Sequence, residues 1–95
     1  MATTSSAPPG DKAAESPELI VYGREHCHLC EDMIAALKEL KARHRFRLEV
    51  IDVDSDAGLK SRYGERVPVL LAGGQEICHY HFDPVALGAY FAKIR

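Results

Sequence analysis

One junction constrains this chain more than any other feature: a short apolar run is followed by an amphipathic pattern that opens with two cysteines. The run Glu18–Tyr22 is apolar and partly β-branched and ends at Gly23, which predicts a buried strand. The apolar residues over 29–43 recur at helical spacing and predict a helix. The cysteines of a C-x-x-C motif, Cys27 and Cys30, therefore lie where a strand gives way to a helix.

The rest of the sequence predicts further strands and helices, which together give the order β-α-β-α-β-β-α. Two strands joined by a helix are expected to pair in parallel through a right-handed crossover, and two strands joined by a two-residue turn form an antiparallel hairpin. We therefore predict an α/β fold with a four-stranded mixed sheet and three helices. The later elements are a strand over 46–53, a short helix capped within Asp54-Ser55-Asp56 and ended by Gly64, strands over 67–71 and 75–80 around Gly73-Gly74, and a helix capped by Asp83 with Pro84 at its first position.

Length and composition limit the chain to one small domain. It has 95 residues, and the apolar residues among the first 17 are one methionine and four alanines. Such a segment buries too little surface to offset its chain entropy, which predicts a disordered N-terminal tail over 1–17. Residues 18–95, of which about half are apolar, are predicted to form the folded domain.

The charge balance and the absence of long apolar runs exclude several classes of partner. A formal charge of -2 gives no broad attraction to nucleic acid or anionic lipid. No run approaches the roughly 18 apolar residues of a membrane span. No basic stretch precedes an apolar one at the start, so we expect no signal peptide and a cytoplasmic location. In that reducing compartment, a C-x-x-C motif indicates redox chemistry or metal binding rather than a structural disulfide.

The position of the C-x-x-C motif indicates thiol chemistry. At the start of a helix, free backbone N–H groups and the helix dipole stabilise a thiolate, which attacks disulfides where a thiol does not. We therefore predict Cys27 as the nucleophile and Cys30 as the thiol that resolves the mixed disulfide. A protonated His28 favours the Cys27 thiolate, whereas Glu31 opposes it. These opposing effects leave the direction of electron flow open.

The third cysteine and its histidine neighbours leave alternatives open. Cys78 is predicted to be a buried strand residue, with a third redox thiol as the alternative. Together with the C-x-x-C motif, residues 78–81 also supply the residue types of a zinc site. Side chains alternate along a strand, however, so Cys78 is expected to face away from His79 and His81. We therefore expect no metal site here unless the strand contains a bulge.

Taken together, these motifs resemble the glutaredoxin branch of the thioredoxin fold, and most closely the small bacterial glutaredoxin-like proteins. The resemblance implies a three-layer thioredoxin-like fold in which a cis Pro68 faces Cys27. A proline that begins a strand near an active site also fits a cis peptide bond on its own account. The resemblance further implies that the Val67 backbone pairs with a bound peptide or glutathione. It covers residues 18–95 and rests on C-x-x-C-E at 27–31, Y-G-x-R-V-P-V-L at 63–70 and a hairpin that reads G-G-Q-E-I at 73–77.

The chain departs from well-characterised glutaredoxins near the motif and near the hairpin. His28 and Leu29 stand between the cysteines in place of proline and an aromatic residue, and Arg66 stands where those proteins have threonine. The glycine pair that holds the glutamyl end of glutathione is absent, and the aspartate that follows it is displaced to Asp83. The resemblance therefore implies disulfide chemistry more directly than glutathione binding. The predicted substrate-binding residues are Val67, Pro68, Arg66, Arg24, His28 and Asp83.

The sequence thus predicts a thiol-disulfide oxidoreductase of glutaredoxin type that reduces or exchanges protein or glutathione disulfides. No metal or organic cofactor is expected, and glutathione is the candidate co-substrate. The expected partners are a disulfide-bearing protein or glutathione and an unidentified thiol reductant, acting on a monomer that binds neither nucleic acid nor membrane. Two alternatives stay open: a module that holds a metal ion or iron–sulfur cluster through its thiolates, and a redox-inactive adaptor that keeps the fold to bind a partner.

Overall fold

The apolar run after Pro17 forms an interior strand of a four-stranded sheet in the computed structural model, which describes residues 17–94. Residues 1–16 of the predicted tail lie outside this range, as does Arg95. The predicted order β-α-β-α-β-β-α is confirmed, with one 3-10 turn added. The elements are β1 (Glu18–Gly23), α1 (His28–Leu40), β2 (Arg47–Asp52), the 3-10 turn Val53–Ser55, α2 (Ala57–Tyr63), β3 (Val69–Ala72), β4 (Gln75–His79) and α3 (Pro84–Lys93).

The strands lie in the order β2-β1-β3-β4 across the sheet. As predicted, β1 is parallel to β2 and β3 is antiparallel to β4, while β1 and β3 are antiparallel. Gly23 pairs with Asp52, Tyr22 pairs with Val69, and Val69 pairs with His79. The last residues of β1, β2 and β4 therefore lie at the same end of the sheet as the first residue of β3. We call this end the Gly23 end.

Helices α1 and α3 pack on one face of the sheet and form the main core. Met33 and Leu37 of α1 and Leu87 of α3 are at most 1% exposed. They belong to one cluster with Leu19 and Val21 of β1. The helical spacing of the apolar residues therefore predicts the buried side of α1, except for Leu29 in its first turn, which is 36% exposed. Burying one such side chain stabilises the fold by about 2 kcal/mol, so this face carries much of the stability.

Helix α2 lies against the opposite face, which makes the fold three-layered. Tyr22 follows Val21 in β1, and successive side chains of a strand point to opposite faces. On that face the Tyr22 ring stacks on the Tyr63 ring of α2, with centroids 4.5 Å apart and planes at 13°. Burial raises the pKa of the Tyr22 hydroxyl, and the neighbouring Tyr63 raises it further.

Side-chain caps determine where α2 and α3 begin. Asp83 accepts a hydrogen bond from the N–H of Ala86 at 3.1 Å, and Pro84 is the first residue of α3, as predicted. Asp56 accepts from the N–H of Gly58 at 3.1 Å and begins α2 within the predicted cap. Each cap satisfies a backbone donor that the helix leaves free, and such a cap stabilises a helix by about 1 kcal/mol.

The β3–β4 hairpin has its predicted turn but contains a bulge. Gly73-Gly74 has φ angles of 60° and 79°, a conformation that favours glycine. A register shift between Leu70 and Leu71 leaves one extra residue in β4. As a result the neighbours Ile77 and Cys78 are both partly buried and both pack against the core.

The predicted alternation of side chains along residues 78–81 holds for Cys78 and His79 but ends at Tyr80. β4 ends at His79, one residue before the predicted end of the strand. Tyr80 has a φ of 64°, and the N–H of His81 donates to the carbonyl of His79 at 2.7 Å. The chain turns at Tyr80 instead of continuing as a strand, so strand alternation does not apply to His81.

Two other predicted features differ from the structure. The first helix ends at Leu40 rather than Arg43, because its last turn tightens and the N–H of Arg43 donates to the carbonyl of Leu40 at 2.9 Å. Val50 belongs to the predicted apolar alternation of β2, but it is 49% exposed. β2 is an edge strand, and the packed core includes Leu48 but not Val50.

The residue before β1 also takes part in backbone hydrogen bonding to β2. The carbonyl of Pro17, placed in the tail by composition, accepts a hydrogen bond from the N–H of Arg47 at 2.9 Å. This bond continues the pairing of β1 with β2 by one residue. Over residues 17–94, no helix combines the length and the hydrophobicity that crossing a bilayer requires.

Leu87→Ala should destabilise the protein, because Leu87 is fully buried between α3 and the sheet. We expect the free energy of unfolding to fall by about 2–5 kcal/mol. The matched control is Val85→Ala in the same helix, where the side chain is 80% exposed and the expected change is within about 0.5 kcal/mol. Urea unfolding followed by circular dichroism measures both values. Equal losses in the two variants would contradict this assignment of the buried side of α3.

Candidate active site

Cys27 and Cys30 meet at the Gly23 end of the sheet, where α1 begins. β1 ends at Gly23, a turn through His26 at φ 58° redirects the chain, and α1 begins at His28. The Cα atoms of the two cysteines are 5.2 Å apart, and their Sγ atoms are joined in a disulfide. The C-x-x-C pair therefore closes within one turn of helix at the predicted junction.

The two sulfur atoms differ in exposure and in hydrogen bonding. Cys27 is the N-cap of α1, and its Sγ accepts a hydrogen bond from the N–H of Cys30 at 3.1 Å. This N–H is one of the donors that a helix leaves free, so a thiolate on Cys27 gains a charge-assisted bond. Cys27 is partly exposed, whereas Cys30 is only 2% exposed. An external disulfide or thiol therefore reaches Cys27, and Cys30 lies behind it.

Gly23 allows the first turn of α1 to lie directly against β1. It is buried, and a Cβ placed on it would lie 3.3 Å from the Sγ of Cys30 and 3.4 Å from its Cβ. A larger residue at this position would push Cys30 away from the strand. From the sequence pattern, Gly23 is predicted only as the end of a strand. The available signal was a glycine placed directly before the loop that leads to the C-x-x-C motif.

Val67 and Pro68 lie at the same end of the sheet, directly before β3. The bond between them is cis, Pro68 is fully buried, and its carbonyl accepts from the N–H of Tyr80 at 2.9 Å. The N–H and the carbonyl of Val67 make no hydrogen bond with any residue that the structure describes. A free donor and acceptor of this kind can pair with an extended peptide. That Pro68 faces Cys27 stays a prediction.

Arg24, predicted to bind a ligand, is bound to a carboxylate of the chain itself. Its Nε and Nη2 donate to Asp54 at 3.1 and 3.2 Å, and its Nη1 donates to the carbonyl of Gly64 at 3.2 Å. These bonds tie the loop after β1 to the segments that follow β2 and α2. The hydrogen bond from Arg24 holds the pKa of Asp54 below its ordinary value.

Arg66 is engaged in a similar way. Its Nη1 donates to Glu76 at 2.6 Å, and its Nη2 donates to the carbonyl of Arg62 at 3.2 Å. The Nδ1 of His79 lies 2.9 Å from the other oxygen of Glu76. Burial raises the pKa of Glu76, but its hydrogen bonds with Arg66 and His79 outweigh that effect, so its pKa is lowered overall.

The other predicted residues occupy the helix starts. The His28 side chain is 98% exposed, with its Nδ1 4.0 Å from Glu31. Asp83 caps α3 with its carboxylate. Burial raises the pKa of Cys78, which outweighs the lowering effect of the Asp83 N–H. A partly buried thiol with a raised pKa fits the predicted strand residue.

Residues 78–81 and the C-x-x-C motif, which supply the residue types of a zinc site, do not come together in the described part of the chain. Within residues 17–94, no three His, Cys, Asp or Glu side chains lie close enough together to hold an ion. β4 does contain a bulge, but His79 is paired with Glu76. Cys78 is partly buried and packs against the core. A cluster held between two chains by the C-x-x-C thiolates stays a prediction.

A protein-family model matches residues 18–92 of this chain. The family model that matches this range is described as Glutaredoxin-like domain (DUF836). An uncharacterized protein of Mycobacterium tuberculosis (strain ATCC 25618 / H37Rv) is 32% identical over 82 residues, which cover 81% of this chain and 84% of that protein. The chain therefore resembles bacterial proteins over nearly all of its folded part.

Solved structures share the fold. Protein Ne2328 from Nitrosomonas europaea, solved by NMR, is 50% identical with a TM-score of 0.74, and the match covers 80% of this chain and 92% of that one. The germline-specific thioredoxin Deadhead from Drosophila melanogaster is 23% identical with a TM-score of 0.55 over 93% of this chain and 90% of its own. That second likeness shows the fold alone. The predicted thioredoxin-like fold is confirmed, and the cysteine pair within it supports a redox-type function.

The Arg24–Asp54 pair should make part of the stability depend on pH. Because the pKa of Asp54 is lowered in the folded chain, its contribution is present above the unfolded value of about 4 and is lost as pH falls through the lower folded pKa. Asp54→Asn should therefore be less stable than the parent protein at neutral pH, and the difference should shrink in acid. Urea unfolding midpoints at neutral pH and below about pH 3 measure this. The control is Asp32→Asn, at an exposed position, and a gap for Asp54→Asn that stays constant with pH contradicts the ion pair.

Proposed function

The chain belongs to the Glutaredoxin-like domain (DUF836) family, and on that premise we propose that it is a thiol-disulfide oxidoreductase. Cys27 attacks a protein or glutathione disulfide, and Cys30 resolves the mixed disulfide that results. The observation that carries the proposal is the unequal exposure of two sulfur atoms close enough to bond. Cys27 is partly exposed at a helix start, and Cys30 is 2% exposed behind it.

The reaction consists of two exchange steps. The Cys27 thiolate attacks one sulfur of the substrate disulfide, forms a mixed disulfide and releases the other substrate sulfur as a thiolate, which takes up a proton. Cys30 then loses its proton and attacks the Sγ of Cys27, which closes the Cys27–Cys30 disulfide and releases the second substrate thiol. The substrate gains two electrons and the chain loses two.

The start of α1 supports both steps. The N–H of Cys30 donates to the Sγ of Cys27 at 3.1 Å, and this bond favours the thiolate needed for attack. The Cα atoms of the two cysteines are 5.2 Å apart, so the resolving sulfur reaches its target without a rearrangement of the helix. Burial of Cys30 keeps it from competing with Cys27 for external disulfides.

In this proposal the substrate docks on the N–H and the carbonyl of Val67, and we call this backbone segment the docking edge. An extended segment beside the substrate disulfide pairs with its N–H and carbonyl, in the manner of a strand added to a sheet. A thiol reductant, either glutathione or a protein dithiol, returns the pair to its reduced form. The proposed setting is the cytoplasm, whose thiol pool supplies such reductants.

Serine substitutions separate the two steps. Cys27→Ser should abolish reduction of a disulfide substrate, because the attacking sulfur is lost. Cys30→Ser should complete the first step and accumulate a mixed disulfide, which intact-mass measurement detects as added substrate mass. The matched control is Cys78→Ser, which removes a partly buried thiol outside the motif and should retain turnover. Continued turnover by Cys27→Ser would refute the assignment of the nucleophile.

A redox titration read by mass tests whether the pair is a redox couple. The protein is equilibrated at a series of thiol-to-disulfide ratios, free thiols are alkylated, and intact masses and peptide maps are recorded. Cys27 and Cys30 should oxidise together in one two-electron step. Cys78 should remain a free thiol and be alkylated at every thiol-to-disulfide ratio. A pair that never closes favours the redox-inactive adaptor, and a pair protected by a co-purified metal favours the metal-binding module.

A further inference from the structure

We infer that the preferred substrate is a disulfide in a cationic, apolar protein segment rather than glutathione disulfide. The inference rests on the proposed function and specifies the substrate class of the same site. It follows from the surface that surrounds Cys27 at the Gly23 end of the sheet. That surface combines exposed apolar side chains with carboxylates, and the arginines predicted to bind a ligand are already paired.

Exposed apolar side chains are concentrated at the starts of α1 and α3. Leu29 is 36% exposed in the first turn of α1, Val85 is 80% exposed in the first turn of α3, and Tyr80 is 43% exposed just before α3. They are three of the five large apolar side chains that are exposed among the described residues. Valine has a low helix propensity, so an exposed valine does little to stabilise α3. Val85 contributes free energy to binding when a partner buries it.

One contact and one short connection place both helix starts at the Gly23 end. The Sγ of Cys30 lies beside Gly23. β4 ends at this end of the sheet with His79, four residues before Asp83, the N-cap of α3. Only β3 separates β1 from β4, so these strand ends are two strand spacings apart, about 10 Å. An extended segment of about four residues covers that distance. A peptide whose cysteine meets Cys27 can therefore also cover the start of α3.

The same surface is rich in carboxylates. The segments 24–32 and 80–86 contain one arginine or lysine in total, which is Arg24. A segment with lysine or arginine beside its cysteine therefore meets opposite charge, and glutathione, which carries two carboxylates and one ammonium group, meets like charge. The carboxylates of these segments belong to Glu25, Glu31, Asp32 and Asp83.

Neither arginine near the site is free to bind the carboxylates of glutathione. Arg24 is paired with Asp54 at 3.1 Å, and Arg66 is paired with Glu76 at 2.6 Å. Each guanidinium also donates to a backbone carbonyl, which holds it in place, and its charge is already matched by a carboxylate of the chain. The free backbone of Val67, by contrast, is open to any extended peptide.

The test measures how fast the reduced full chain exchanges with matched disulfide probes at pH 8. Each probe is a thiol joined to the same mercaptoethanol leaving group: a short peptide with lysine and leucine beside its cysteine, the same peptide with glutamate for lysine, the same peptide with serine for leucine, and glutathione. At low salt the lysine–leucine peptide should react at least about tenfold faster than the glutathione probe. The difference between lysine and glutamate should shrink strongly at about 0.5 M salt, while that between leucine and serine should remain.

Val85→Ser separates docking from exchange chemistry. It should lower the second-order rate constant for exchange with the lysine–leucine peptide on the order of tenfold, the effect of losing one buried valine contact. It should leave the reduction potential and the rate with the glutathione probe unchanged. The matched control is Ile94→Ser, since Ile94 is 44% exposed at the other end of α3. Equal effects of the two substitutions would overturn the proposed docking surface.

The outcomes distinguish this inference from the function on which it rests. If no probe reacts with the reduced chain, the proposed oxidoreductase function fails. If the glutathione probe or the glutamate peptide reacts as fast as the lysine–leucine peptide, the function stands and the substrate class is wrong. Faster exchange with the lysine–leucine peptide, together with its loss in Val85→Ser alone, supports the inference.

Discussion

The close contact between Gly23 and Cys30 determines the geometry of the whole site. Because Gly23 has no side chain, the first turn of α1 lies directly against the end of β1. The contact buries Cys30 and leaves Cys27, the N-cap of the same helix, partly exposed above it. It also brings the start of α1 to the end of the sheet where Val67 has free backbone groups. The unequal accessibility of the two sulfur atoms, on which the proposed order of attack rests, therefore depends on one glycine–cysteine contact.

The arginines near this site hold loops together. Arg24 joins the loop after β1 to Asp54 and to the carbonyl of Gly64, so one side chain holds three connections in place. A guanidinium is suited to this because its donors form a rigid fork that binds a carboxylate and a carbonyl at once. The two arginines predicted to contact a ligand thus also hold the scaffold together, and their contact with a ligand stays a prediction.

The sequence predicts the local features well because each depends on a few neighbouring residues. The Asp83-Pro84 cap and the Gly73-Gly74 turn are of this kind, and helical spacing is enough to find the buried side of α1. The features that it does not predict depend on distant pairing. Asp54 is 30 residues from Arg24, and no local signal selects it as the partner. The extra residue near Ile77 depends on how β4 registers against β3, which the pattern of β4 alone does not specify.

Because Cys30 is covered, only the sulfur of Cys27 is open to an incoming thiol when the pair is oxidised. In the proposed cycle, the electron donor must then approach over the same surface as the electron acceptor. Two proteins that share one binding surface exclude each other and bind in turn. Turnover in the proposed cycle therefore follows ping-pong kinetics. The surfaces of donor and acceptor around their reactive sulfurs should be alike, which makes a known acceptor a guide to the unknown donor.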